Sequence, residues 1–227
     1  MYTLILLSGG TGSRMQNAIP KQYMLLAGKP VIMHILDRVD TIDEISNIVV
    51  VCADEYRDSI KLMVNQYGIT KPIKFAPAGK TRQMSVKSGL DFVDTDDVII
   101  HEAARPFVKV EDFERLIAEK NRNVMLGTSI PFTVIKGHET VEGVLNRSEL
   151  VNVQLPQKFE NSLLKSSIEQ AVAEGKEYTE DASMVFSYNP TIKIDICNGM
   201  DYNLKLTTRM DMVVGEKIYD DYFRMRK

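Results

Sequence analysis

Three uninterrupted apolar runs constrain this chain more than any other feature: Leu4-Ile5-Leu6-Leu7, Ile48-Val49-Val50-Val51 and Val98-Ile99-Ile100. Each is of strand length and none alternates with polar residues, the pattern of parallel strands covered on both faces. Between the first two runs, Val31, Ile32, Ile35, Leu36 and Val39 recur at helical spacing, and beyond the second Tyr56, Ile60, Met63 and Val64 do the same. This βαβ alternation predicts a three-layer α/β fold with a mostly parallel sheet. Strands near Ile73–Phe75 and Val124–Ile130 are expected to extend the sheet. Later come helices at Asn161–Ala173, from near Glu180 and over about Arg209–Phe223, with a strand at Ile192–Ile196. The stretch Thr133–Gln157 departs from the pattern. It offers short alternating pieces such as Thr140-Val141-Glu142-Gly143-Val144 and no helical stripe, and it reads as a β-rich excursion.

No repeat, low-complexity tract or linker divides the 227 residues, so one domain over 1–227 is expected. No apolar run approaches the roughly 20 residues of a membrane span, and no basic segment precedes the first run as in a secretory leader. Lys and Arg number 28 against 31 Asp and Glu, a net charge of −3 that offers nucleic acid no global positive field. An anionic ligand must therefore be met by a local cluster. Cys52 and Cys197 read as buried free thiols of a cytoplasmic protein. His34, His101 and His138 show no metal-ligand spacing with them, and His101 reads as a packed core histidine.

Directly after the first apolar run stands Ser8-Gly9-Gly10-Thr11-Gly12-Ser13-Arg14, a loop whose glycines let backbone N–H groups turn toward a phosphate. A dinucleotide fingerprint needs Gly or Ala at position 15, where Met15 stands, and an acid about 20 residues on, where Ile32 stands. That argues against a nicotinamide-dependent oxidoreductase. Gly79-Lys80-Thr81 has the ending of a Walker loop, but Lys74 occupies the place of its leading glycine. Arg14 and Lys21, the latter within Pro20-Lys21-Gln22-Tyr23, supply cations suited to a triphosphate, unless they are merely solvated surface charges. His101-Glu102-Ala103-Ala104-Arg105-Pro106 follows the third run, where ligands sit in open α/β sheets. There Glu102 can hold a metal ion or a sugar hydroxyl, or pair with Arg105 to order the turn.

These motifs, in this order, resemble the cytidylyltransferases of the 2-C-methyl-D-erythritol 4-phosphate and ribitol 5-phosphate type. The resemblance continues through Thr81-Arg82-x-x-Ser85, Arg147, Leu155-Pro156-Gln157-Lys158-Phe159, Thr179-Glu180-Asp181-Ala182-Ser183 and Asn203-Leu204-Lys205-Leu206-Thr207-Thr208, spanning nearly the whole chain. It implies a Rossmann-like nucleotidyltransferase fold with a protruding β-arm at about 133–157, a homodimer with shared active sites, and transfer of CMP from CTP to a polyol phosphate with Mg²⁺. By position, Arg14, Lys21, Arg147 and Lys205 would be catalytic. CTP would meet Ser8, Gly9, Gly10, Thr11, Gly12, Ser13, Gly79, Ser85 and Ala103. The acceptor would meet Glu102, Arg105, Arg147, Thr179 and Thr207, with Glu102 also a metal ligand. Glu102 replaces the Asp usual in such enzymes, and Lys80 stands where some relatives carry an acid. The Asn203–Thr208 segment looks more like the ribitol phosphate enzymes, which favours ribitol 5-phosphate as acceptor over 2-C-methyl-D-erythritol 4-phosphate. A CTP-binding module without catalysis is the alternative.

Overall fold

The computed structural model describes residues 1–10 and 19–224. The chain opens with β1 (Tyr2–Leu7), then a 3-10 turn at Lys21–Tyr23 and a small hairpin, β2 (Leu25–Leu26) and β3 (Lys29–Pro30). There follow α1 (Val31–Asp40), β4 (Ile45–Cys52), α2 (Asp54–Tyr67), β5 (Ile73–Pro77), α3 (Arg82–Leu90), β6 (Asp97–Glu102), α4 (Val110–Ala118) and β7 (Val124–Ser129). A second hairpin, β8 (Val134–Lys136) and β9 (Gly143–Leu145), leads through a turn at Arg147–Glu149 into β10 (Val151–Glu160). The chain ends with α5 (Asn161–Ala173), α6 (Asp181–Tyr188), β11 (Asp195–Asn198) and α7 (Arg209–Tyr222).

Seven strands form one sheet in the order β11-β7-β10-β6-β1-β4-β5. Strand β1 lies parallel to both β4 and β6, β4 is parallel to β5, and β10 runs antiparallel between β6 and β7. The period of two along each strand explains why the apolar runs are unbroken. Leu4, Leu6, Ile48, Val50 and Ile99 face a core shared with α1 and with Phe113 and Leu116 of α4. Ile5, Leu7, Val49, Val51, Val98 and Ile100 face another, shared with Val86 and Leu90 of α3 and with α5 and α6. Each such side chain removed from water contributes about 1.5–3 kcal/mol, so a polar residue on any of these strands is penalised on either face. The fold is thus the expected α/β one.

Three expectations are corrected. Helices α3 and α4 were not expected: in α3 three of the five buried residues are Gln83, Ser85 and Gly89, which leaves no apolar stripe, whereas α4 does carry one, at Val110, Phe113, Leu116 and Ile117, within a short and otherwise charged segment. The excursion ends near residue 150, because Gln154–Phe159 of β10 is buried within the main sheet and only the β8–β9 hairpin stands apart from it. The late strand falls at Asp195–Asn198, some three residues beyond its expected start, where it aligns with Val124–Gly127 of β7. Cys52 and Cys197 are buried and unpaired, as expected. No described helix is long and apolar enough to cross a membrane.

Candidate active site

The parallel strands deliver their carboxyl ends to one edge of the sheet, and there a cavity of about 380 Å³ opens. The wall draws on Ser8, Gly9 and Gly10 after β1, on Lys21 and Gln22, and on Lys80, Thr81, Arg82 and Ser85 around the start of α3. Glu102 and Ala104 close it from the end of β6, and Lys205 and Thr207 from the segment before α7. The volume lies in the range of small-ligand sites.

The glycine loop is fastened from behind. Gln22, only 3% exposed, donates from Nε2 to the carbonyls of Ser8 (2.7 Å) and Gly10 (2.8 Å). Tyr23 donates to the Ser8 carbonyl (3.1 Å) and accepts from the Ser8 hydroxyl (3.0 Å). Burial pushes the Tyr23 phenol up to about 12, so it remains a donor at any ordinary pH. Gly9 is required by close approach, since a Cβ there would lie 2.4 Å from Cβ of Ala78. Opposite, Thr81 caps α3 by accepting from Met84 N–H (3.2 Å), and the positive end of this helix borders the cavity. Gly79 N–H is taken by the Ser85 hydroxyl at 3.0 Å, so it braces the loop rather than facing the cavity.

Glu102 is the electrostatic centre. Arg82 Nε donates to its Oε1 at 3.0 Å, Lys205 Nζ lies 2.6 Å from Oε2, and Arg105 Nε stands 4.0 Å from Oε2. Burial alone would raise this carboxyl's pKa, but Lys205 and Arg82 outweigh that and hold it at about 2. The metal role expected for Glu102 does not fit these surroundings, since a carboxylate ringed by three cations is already neutralised. Among the described residues no group of three or more His, Cys, Asp or Glu side chains is arranged to hold a metal. The segment carrying Lys205 is itself pinned, by Leu206 N–H to Ala104 O (2.8 Å) and by buried Asn203 to Leu155 O (2.7 Å).

Of the expected site residues, the cavity therefore gathers Ser8, Gly9, Gly10, Lys21, Ser85, Glu102, Lys205 and Thr207. Thr11, Gly12, Ser13 and Arg14 lie outside the described residues. Ala103 is wholly buried in the core, and its neighbour Ala104 forms the wall instead, because alternation at the end of β6 turns successive residues to opposite sides. Arg105 donates to Asn203 O (3.0 Å) and supports the Lys205 segment rather than facing the cavity. Thr179 is exposed and outside the wall. Arg147 lies on the arm, donates to Pro131 O, and does not reach the cavity of its own chain. His101 is a core histidine, wholly buried against Phe113. Sequence reasoning passed over Gln22 and Arg82, although both sit inside motifs it singled out.

The model of the 2-C-methyl-D-erythritol 4-phosphate cytidylyltransferase family matches residues 2–221. The chloroplastic 2-C-methyl-D-erythritol 4-phosphate cytidylyltransferase of Oryza sativa subsp. japonica is 34% identical over 96% of this chain and 74% of its own length. The enzyme of that name from Geobacillus thermodenitrificans is 34% identical over 96% of both chains. Among solved structures, the 4-diphosphocytidyl-2C-methyl-D-erythritol synthase of Anaerococcus prevotii superposes with a TM-score of 0.85 at 27% identity, covering 96% of each chain. The leaning toward ribitol 5-phosphate finds no support among the relatives named here, each of which bears the name of a methylerythritol phosphate enzyme. Together with a cationic, glycine-lined cavity at the sheet edge, these matches establish that the chain belongs to the 2-C-methyl-D-erythritol 4-phosphate cytidylyltransferase family and is a CTP-dependent nucleotidyltransferase.

Proposed function

We propose that the protein transfers CMP from CTP to 2-C-methyl-D-erythritol 4-phosphate. An oxygen of the acceptor phosphate attacks the α-phosphorus, the bond from that phosphorus to the bridging oxygen of the β-phosphate breaks, and pyrophosphate leaves. No protein nucleophile is needed, so the site's work is positioning and charge stabilisation. The observation that carries this reading is the convergence of Lys21 and Lys205 on one cavity floored by the glycine loop. Lys21, with Arg14 from the same loop region, offsets charge on the triphosphate, and Lys205 approaches the α-phosphate. Ser8, Gly9, Gly10 and Ser85 enclose the base. Mg²⁺ belongs to this reading as a companion of the nucleotide phosphates, which suit it better than a cation-ringed carboxylate.

Arg147 serves the acceptor phosphate of a neighbouring subunit in this reading. The arm that carries it exposes Phe132 at 76%, Ile135 at 53% and Val144 at 69%, apolar surface suited to a second copy of the chain in a homodimer. The buried unpaired thiols of Cys52 and Cys197 suit a reducing cytoplasm.

The test is pyrophosphate release with CTP and Mg²⁺ against methylerythritol 4-phosphate, ribitol 5-phosphate and no acceptor, with ATP as the nucleotide control. Turnover with CTP and methylerythritol 4-phosphate is expected. Faster turnover with ribitol 5-phosphate overturns the acceptor, and none with any acceptor overturns the transfer.

A further inference from the structure

Asp181 forms no part of the cavity wall, yet it is only 2% exposed. A buried carboxylate is costly unless paired, and here both oxygens are taken by one guanidinium: Arg82 Nη1 to Oδ1 at 2.9 Å and Nη2 to Oδ2 at 2.6 Å. Arg82 spends its Nε on Glu102 Oε1 at 3.0 Å, which leaves Oε2 to Lys205 at 2.6 Å. Four side chains from α6, α3, the end of β6 and the segment before α7 thus stand in a row of alternating charge.

The geometry points to Asp181 as a positioning residue for nucleotidyl transfer: by anchoring Arg82 it fixes the Glu102 carboxylate, and through Glu102 the Lys205 ammonium. This rests on the cytidylyl-transfer reading above, in which Lys205 acts on the α-phosphate. Asp181 is well placed to be the fixed end. It opens α6, whose capping residue Glu180 accepts from the N–H groups of Ala182 (2.9 Å) and Ser183 (2.7 Å). Arg82 is a planar fork with all three nitrogens engaged, so it cannot turn without breaking a bond. Freed from Asp181, the same fork would pair with both oxygens of Glu102 and take Oε2 from Lys205. Lys205, on a long flexible stem, would then lose its hold at the wall.

Asp181→Asn removes the charge without removing any group from the cavity. The expected result is a fall in kcat of roughly 10- to 100-fold, the scale of a misplacement near 1 Å, with the CTP KM unchanged. In a Glu102→Gln background the same substitution adds no further loss, because the two residues act in series. A wild-type kcat in Asp181→Asn, a loss confined to the CTP KM, or losses that multiply with Glu102→Gln overturn the proposal. A crystal structure of Asp181→Asn gives a reading independent of turnover. Lys205 displaced from Glu102 is expected, and an unchanged 2.6 Å pair overturns the assignment even if the wild type proves inactive, an outcome that would by itself sink only the transfer reading. Should Asp181→Asn not fold, Asp181→Glu, which keeps the charge but lengthens the reach, is read by the same measurements.

Discussion

Replacing Gln22 by Met separates the brace of the glycine loop from its contents, since Met matches the shape of Gln but cannot donate. Two hydrogen bonds disappear, to Ser8 O (2.7 Å) and Gly10 O (2.8 Å), and their consequences differ. Ser8 O keeps the Tyr23 hydroxyl at 3.1 Å, and Gly10 is exposed, so water can reach its carbonyl. Neither acceptor is left both buried and unpaired, so the heavy penalty for an orphaned group does not apply. The loss is then the net worth of two hydrogen bonds, about 1–2 kcal/mol, or about 2–8 °C in Tm for a chain of this size. The catalytic effect should appear in binding. A loop that must be re-ordered by CTP costs a similar free energy, which raises the CTP KM by roughly 5- to 30-fold. Thermal denaturation with and without CTP, beside steady-state kinetics, measures both. A Tm within about 1 °C of wild type together with an unchanged CTP KM would refute the brace.

Lys21→Ala and Arg14→Ala should each lower kcat by about 10²-fold or more, as expected for groups that offset transition-state charge; wild-type rates in both would remove those roles. Arg147→Ala should raise the acceptor KM, and if the CTP KM alone rises, its assignment to the acceptor phosphate is wrong. Glutamates in place of Ile135 and Val144, which face each other across the arm hairpin, should yield a monomer by light scattering with little turnover. Stability should fall between pH 6.5 and 4, because burial lowers His34 and His101 from the ordinary 6.5 to about 4 and the unfolded chain binds more protons in that window. The effect is on the order of 3 kcal/mol per histidine, and urea midpoints that do not move between pH 7 and 4.5 would contradict it. Glu102, lowered from 4.5 to about 2, gives up its contribution mainly below that range.

What was legible in the sequence is what repeats or clusters along it. The strands β1, β4 and β6 were readable because burial on both faces keeps their central runs apolar, and α1 because seven of its ten residues are buried. Helix α3 was not, since its residues are chosen one by one: Arg82 for Glu102 and Asp181, Gln83 for the Tyr178 N–H and Lys176 carbonyl, Ser85 for Gly79. The same holds in the site. Lys21, Glu102 and Lys205, which line the cavity, stand in motifs of known order, whereas Asp181, although it lies in the Thr179–Ser183 motif, serves a side chain 99 positions away, a pairing that no local pattern shows.

A net charge of −3 is compatible with a polyanion site only if charge is segregated, and the cavity shows how. Among the described residues, Lys21, Lys80, Arg82 and Lys205 line it with Glu102 as the single acid. Four cations around a small volume repel one another, and Glu102 and Asp181 offset that repulsion by pairing with two of them, Lys205 and Arg82. Glu102 meets both Lys205 and Arg82 within the wall, whereas Asp181 holds Arg82 from outside it. In the proposed reading an arriving phosphate competes with Glu102 for Lys205, while Arg82 stays fastened by its bidentate anchor. Glu102 bridges Arg82 and Lys205 with separate oxygens, Oε1 and Oε2. Shortening it by Glu102→Asp should break one of these two contacts, and a kcat that rises rather than falls would mean that the pair restrains Lys205 more than it positions it.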